Sequence, residues 1–101
     1  MTLRDAIAMP DNLPETATLF VQRLSGEFQP QSLAMLVEMS DADLERPVSE
    51  VAAKRVPGME YFLEIDEAQH LVKGWLENYR NGSPTLEQIV ERVIYYAEND
   101  A

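Results

Sequence analysis

The sequence predicts a single α+β domain spanning residues 1–101. A small antiparallel sheet of about three strands is expected to pack against a C-terminal antiparallel helix pair, with a short helix at the N-terminus. Two observations predict this class: strand-like segments rich in β-branched and aromatic residues precede residue 66, and two long apolar stripes at helical spacing follow it. A length of 101 residues, of which 46% are hydrophobic, suits one continuous core.

The first 39 residues predict one short helix and two strands. Residues 3–9 form the helix, and the proline-rich stretch Pro10–Pro14 ends it as a turn. Residues 18–23 are β-branched and aromatic, which predicts a strand. Apolar residues alternate over 33–39, which favours a second strand, although leucine, alanine and methionine also suit a helix.

The middle of the chain predicts a loop and then the clearest strand. Residues 40–57 are expected to form a long connection with little regular structure, in which residues 48–55 could form a short helix. Residues 59–65 alternate as a strand with one face toward the core and the other toward solvent or a partner. The predicted core face carries Met59, Tyr61, Leu63 and Ile65, and the predicted outer face carries Glu60, Phe62 and Glu64.

Two helices are predicted to complete the chain. Asp66 is expected to cap the first, with Gln69 completing a capping box, and Asn81-Gly82 to end it. Ser83 is expected to cap the second, with Pro84 at its first position. The short link makes the helices antiparallel neighbours. Their apolar stripes are Ala68, Leu71, Val72, Trp75, Leu76 and Tyr79, and Leu86, Ile89, Val90, Val93, Ile94 and Ala97.

The charge balance is strongly negative, with 18 acidic and eight basic residues and a net charge of −10. Such a surface repels nucleic acid and anionic membranes and attracts basic proteins. No apolar run is long enough to span a bilayer. The N-terminus lacks the features of a signal peptide, and the chain has no cysteine, so the expected location is the cytoplasm.

No motif in the sequence points to catalysis. His70 is the one histidine, so no paired-histidine metal motif exists. Asp41, Asp43 and Glu45 alternate as in a calcium loop, but Arg46 and Ala52 occupy the places that need glycine and glutamate. We therefore expect no enzyme activity, no metal and no cofactor. A small hydrolase would need two carboxylates converging in a pocket.

The candidate site is a protein-binding surface in the acidic middle of the chain. Nine of the 18 acidic residues and three of the eight basic residues fall between positions 38 and 67. An aromatic side chain ringed by carboxylates can anchor a basic partner, unless another segment covers it. Of the adjacent Tyr95 and Tyr96, only one can face the core fully. The predicted contacts are Asp41, Asp43, Glu45, Glu60, Phe62, Glu64 and Glu67.

Both ends of the chain resemble a family of small, acidic, uncharacterised bacterial proteins. The residues that carry the resemblance are Leu3, Pro10, Asn12–Pro14, Ala17–Phe20, Tyr61–Val72, Ser83, Leu86, Glu87 and Tyr95–Ala101. Members of this family are similar to immunity proteins of bacterial toxin–immunity systems. The resemblance implies a protein that binds and neutralises a toxin domain, such as a nuclease with a basic groove, and it implies no catalytic residues.

Three hypotheses follow. The first is an immunity or inhibitor protein, monomeric when free, that covers a basic toxin domain. The second is an adaptor or regulatory homodimer that uses the helix pair, with Leu24, Phe28 or Tyr96 at its interface. The third is a DNA mimic, which would need an elongated stripe of carboxylates. Light scattering separates the first from the second.

Overall fold

A computed structural model describes residues 1–79 and 82–99 and confirms the predicted α+β class. Asn81, from the predicted helix stop, and Asp100-Ala101, from the resemblance, lie outside the described residues. The elements in chain order are helix α1 (Leu3–Ala8), a 3-10 helix (Pro10–Asn12), strands β1 (Ala17–Val21) and β2 (Ala34–Glu38), helices α2 (Asp41–Leu44) and α3 (Val48–Arg55), strand β3 (Glu60–Glu64), and helices α4 (Ile65–Asn78) and α5 (Leu86–Asn99).

The sheet has the strand order β2-β1-β3, and β1 is antiparallel to both neighbours. Thr18 on β1 lies opposite Val37 on β2 and Glu64 on β3. β2 and β3 therefore run parallel to each other, and their carboxyl ends meet beside the start of β1. The segment with mixed helix and strand signals is a strand, because β1 pairs with it along its whole length.

Both faces of the sheet are covered, so the chain has two hydrophobic clusters. The larger cluster joins one face to α1, α4 and α5, and the smaller joins the other face to α3. All five residues of β1 are buried, as expected for a central strand between two layers. The larger cluster includes Leu3, Ile7, Leu19, Val21, Phe62, Leu63, Ile65, Val90 and Val93, and the smaller comprises Phe20, Val37, Ala52, Val56 and Met59.

A β-bulge in β3 overturns the predicted alternation of this strand. Leu19 pairs with Leu63 and the next residue, Phe20, pairs with Tyr61, so Phe62 is an extra residue in β3. The bulge places Phe62 and Leu63 together in the larger cluster, while Tyr61 packs against the smaller one. The expectation that Phe62 lies on an outer face is therefore wrong.

Phe62 is covered by the loop that follows β1, which is the alternative left open by the sequence. It is 1% exposed and meets the ring of Phe28 edge-on, with ring centroids 5.1 Å apart. Phe28 is itself buried, so it is not the exposed residue that a homodimer interface would use. Tyr61 makes the equivalent edge-on contact with Phe20 in the smaller cluster, at 6.3 Å.

The segment 40–57 is more regular than predicted. The suggested helix over 48–55 is confirmed as α3, which covers the second sheet face. The preceding α2 was not predicted. Its N-terminus is a capping box in which the Ser40 hydroxyl accepts from the Asp43 amide and the Asp43 carboxylate accepts from the Ser40 amide.

The starts of the two C-terminal helices differ from the prediction. α4 begins at Ile65 directly after β3 without a side-chain cap, so Asp66 lies inside the first turn. Gln69 instead donates its side-chain amide to the carbonyls of Pro10 and Leu13, tying α4 to the turn after α1.

α5 begins later than expected, at Leu86, so Ser83 and Pro84 precede the helix. Thr85 and Gln88 form its capping box through reciprocal side-chain to backbone hydrogen bonds of 3.2 and 2.8 Å. α4 and α5 are antiparallel as predicted, since the hydroxyl of Tyr96 near the end of α5 reaches Glu67 near the start of α4.

Candidate functional site

The fold gathers most of the predicted acidic contacts at one end of the sheet. β2 leads directly into α2 and β3 leads directly into α4, and both strands end beside the start of β1. Carboxylates from three chain segments therefore lie at this end, where Arg55 bonds to Asp43 and the His70 ring lies 3.2 Å from Asp66. This surface, called the acidic end below, comprises Glu15, Glu38, Asp41, Asp43, Glu45, Glu64, Asp66 and Glu67.

Two threonines beside the start of β1 hold two of these carboxylates in place. The Thr16 hydroxyl lies 2.9 and 3.0 Å from the two carboxylate oxygens of Glu38. The Thr18 hydroxyl donates to Glu64 at 2.8 Å. Because Glu38 and Glu64 flank β1 on opposite sides, their backbones are separated by two strand spacings, about 10 Å.

Two further polar residues, Glu67 on α4 and Tyr61 on β3, lie near Glu64 at the acidic end. Glu67 is half-buried and accepts a 2.7 Å hydrogen bond from the Tyr96 hydroxyl. Burial, followed by the negative charges of Glu64 and Glu67, raises the pKa of Tyr61 to about 12. The raised pKa means that the phenol of Tyr61 keeps its proton to a higher pH than an ordinary tyrosine does.

The carboxylates on and after α2 divide into anchored and available groups. Asp43 accepts from the backbone and side chain of Ser40 and from Arg55 at 2.5 Å, and these contacts hold the pKa of Asp43 below its usual value. Asp41 and Glu45 are exposed, and no hydrogen bond or ion pair holds the carboxylate of either one to residues 1–79 or 82–99. These two side chains can pair with a cation on another molecule without giving up an internal contact.

Glu60 does not belong to the acidic end. It lies at the start of β3, opposite Val21, where Arg23 binds it at 2.7 Å. Arg23 also binds Glu98 at 2.9 Å and lies 4.0 Å from the centroid of the Phe28 ring. The predicted contact at Glu60 is therefore an ion pair that ties α5 to the sheet, one strand length from the other predicted contacts.

An aromatic groove between α4 and α5 was missed by the sequence analysis. It has a volume of about 720 Å³, and its lining includes Trp75, Tyr79, Ile89, Arg92 and Tyr95. Trp75 was expected in the core, but it is half-buried, with the Arg92 guanidinium 5.9 Å from its ring centroid. Tyr95 is 67% exposed, which agrees with the expectation that one of the adjacent tyrosines faces away from the core.

The described lining of the groove lacks the pair of converging carboxylates named above for a small hydrolase. Glu91 is the one acidic residue among the described residues that line it, so two carboxylates do not converge there. Within residues 1–79 and 82–99, no group of three or more histidine, cysteine or acidic side chains is placed to hold a metal ion. Over the same residues, no helix has both the length and the apolar character needed to cross a bilayer.

Comparison with known proteins found no match among family models, curated proteins or solved structures.

Proposed function

We propose that this protein is an acidic inhibitor of the immunity type, which binds a basic protein partner through the acidic end and neutralises it by covering its surface. The partner is a cognate bacterial toxin domain, and binding takes place in the cytoplasm of the producing cell. The proposal rests on one observation: the sheet topology brings carboxylates from separate segments of an already acidic chain to one end of the molecule.

Physical chemistry supports a binding role for this surface. A concentrated negative field speeds the encounter with a cationic partner and excludes nucleic acid and other acidic proteins. Glu38 and Glu64 are held by threonine hydroxyls, so they lose little side-chain freedom when a partner binds.

An apolar contact is available among the carboxylates. Phe62 is buried and cannot serve, but Leu44 at the end of α2 is 68% exposed between Asp43 and Glu45. In this proposal Leu44 takes the anchoring role that the sequence analysis gave to Phe62, because an exposed apolar residue within a charged rim favours protein contacts.

Co-expression with the product of the adjacent gene tests the proposal. We expect a one-to-one complex that dissociates as the salt concentration rises, and restored growth if that product is toxic.

The double variant Asp41→Asn/Glu45→Gln removes the two available carboxylates. It should weaken binding about tenfold, mainly through slower association, as measured by surface plasmon resonance.

The matched control is the double variant Glu77→Gln/Glu91→Gln, which changes the net charge equally on exposed residues of α4 and α5. It should leave the affinity within about twofold if the location of the charge matters. An equal effect of both double variants, or the absence of any complex, would overturn the proposal.

The aromatic groove favours a second candidate, the adaptor or regulatory homodimer. Tryptophan, tyrosine and arginine are the residues enriched at the centres of protein interfaces, and all three line this groove. Light scattering on the free protein separates the two candidates. The inhibitor is expected to have the mass of one chain, whereas a stable dimer with twice that mass, reduced to one chain by Tyr95→Ala, would favour the second candidate.

A further inference from the structure

The outer edge of β2 is only partly paired. β2 is the terminal strand of the sheet, with β1 along its inner side. Gln22 donates to the Leu33 carbonyl from the β1 side, so residue 33 and every second residue after it direct their backbone groups toward β1. Ala34, Leu36 and Glu38 therefore direct theirs to the outer edge.

The first residues of the chain fill one part of this edge. Thr2 forms an antiparallel bridge with Leu33, and the Ala34 amide donates to the Met1 carbonyl at 2.9 Å. At the other end, Arg55 donates to the Glu38 carbonyl at 3.3 Å. Among the described residues, no hydrogen bond reaches the outward amide and carbonyl of Leu36 or the amide of Glu38.

The open section of the edge lies beside exposed apolar side chains and runs into the acidic end. Leu33 and Met35 are 48% and 46% exposed, although both are on the sheet face that α3 covers at Val37. Glu38 and Asp41 follow directly in the chain. This short stretch of surface therefore carries unpaired backbone amide and carbonyl groups, exposed apolar side chains and carboxylates next to one another.

We propose that the cationic partner adds an extended segment to the open edge of β2 at Leu36–Glu38. An apolar side chain of that segment packs on Met35, and a lysine or arginine of the segment lies at the acidic end. This inference rests on the proposed function and specifies how the partner binds. Strand addition gains affinity from main-chain hydrogen bonds and specificity from alternate side chains. The lysine or arginine supplies the charge complementarity that the acidic end requires.

A second copy of this chain fits the open edge less well. Two chains of net charge −10 repel each other. Symmetric antiparallel pairing centred on Leu36 would also need the Ala34 amide, which already donates to Met1, and pairing centred on Val37 would bring the Glu38 carboxylates of the two copies close together. A cationic segment from another protein meets neither obstacle.

A fluorescent peptide of alternating valine and lysine is the probe for this edge, and a valine–glutamate peptide is its control. We expect the lysine peptide to bind, the glutamate peptide not to bind, and the amide resonances of Met35–Glu38 to shift.

Leu36→Pro should weaken peptide binding at least about tenfold, because it removes the outward donor and places a ring on the edge. The bonds between β2 and β1 do not use the Leu36 amide, so this variant should keep the fold.

Leu36→Ala is the matched control, since it loses the side chain but keeps the outward amide. It should bind the lysine peptide within about threefold of the parent chain. Circular dichroism checks that both variants are folded, and methylation of the Leu36 amide by semisynthesis replaces Leu36→Pro if that variant unfolds. Failure of the lysine peptide to bind, equal effects of the two variants, or shifts confined to the aromatic groove would overturn the inference.

The complex with the adjacent gene product separates this inference from the proposed function. If Asp41→Asn/Glu45→Gln weakens that complex and Leu36→Pro does not, the acidic end binds the partner without strand addition. If neither change affects the complex, both proposals fail.

Discussion

At the scale of single residues, Phe62 shows how one backbone irregularity changes a functional assignment. A regular strand would have placed its ring between two glutamates on the surface, whereas the bulge turns the ring into the larger cluster. Bulges depend on the pairing partner as much as on the strand itself. The sequence of β3 alone therefore could not reveal the position of Phe62.

Burial of Phe62 predicts a large cost when its ring is removed. Phe62→Ala should lower the free energy of unfolding by about 3–5 kcal/mol, since it deletes a buried ring and leaves a cavity beside Phe28. Chemical denaturation measures the change. Tyr95→Ala, which removes a 67% exposed ring, is the control and should change it by less than about 1 kcal/mol. Similar losses in both variants would contradict the buried position of Phe62.

Tyr61 predicts a pH dependence of stability in the alkaline range. The pKa of Tyr61 is about 12 in the folded chain, against 10.0 for an ordinary tyrosine, so the folded state binds the phenolic proton more tightly. The contribution of Tyr61 to stability is present below pH 10 and is lost as the pH rises toward 12. Thermal unfolding across this range should show Tyr61→Phe losing less stability than the parent chain.

Tyr95→Phe is the control for this titration, because Tyr95 is exposed on α5. It should follow the parent chain through the same alkaline range. Ultraviolet absorbance should also show that Tyr61 ionises at higher pH than an exposed phenol, because Tyr61→Phe should reduce the absorbance change at the alkaline end of the titration. A curve for Tyr61→Phe that coincides with the parent curve would contradict the assignment.

At the scale of secondary-structure elements, periodicity located the helices better than it located their caps. The stripes of α4 and α5 were predictable because an apolar face must be buried, whereas α3 was only suggested as a possible short helix within a connection. The capping residues were not predictable, because a polar side chain can form its hydrogen bond either with its own helix or with a distant carbonyl. Gln69 illustrates this choice, since it bonds to Pro10 and Leu13 across the fold instead of to its own helix.

β2 shows the same dependence on tertiary context. Its apolar alternation favours a strand although its leucine, alanine and methionine also suit a helix, and pairing with β1 along its whole length confirms the strand. Its neighbour α2 has only four residues, too few for a periodic signal, so its capping box at Ser40 and Asp43 was the one feature that could have indicated it.

At the scale of the whole molecule, the sequence showed how much negative charge the chain carries but not how the fold divides it. Glu60 and Glu64 are close in the sequence and were predicted to belong to one acidic surface, although the two lie at opposite ends of β3. The register of the sheet, with both outer strands ending beside Thr18, separates them and brings Glu64 near Glu38. Residues that are distant in sequence become neighbours only through this pairing, which no local pattern encodes.

The pairing of the first residues with β2 has a practical consequence for handling the protein. Because Thr2 lies opposite Leu33 in antiparallel register, any residues fused ahead of Met1 would continue along the strand toward Leu36. An affinity tag at that position would occupy the ladder and compete with an incoming segment. Purification handles are better placed at the opposite terminus, and a loss of binding caused by an N-terminal tag would itself report on this edge.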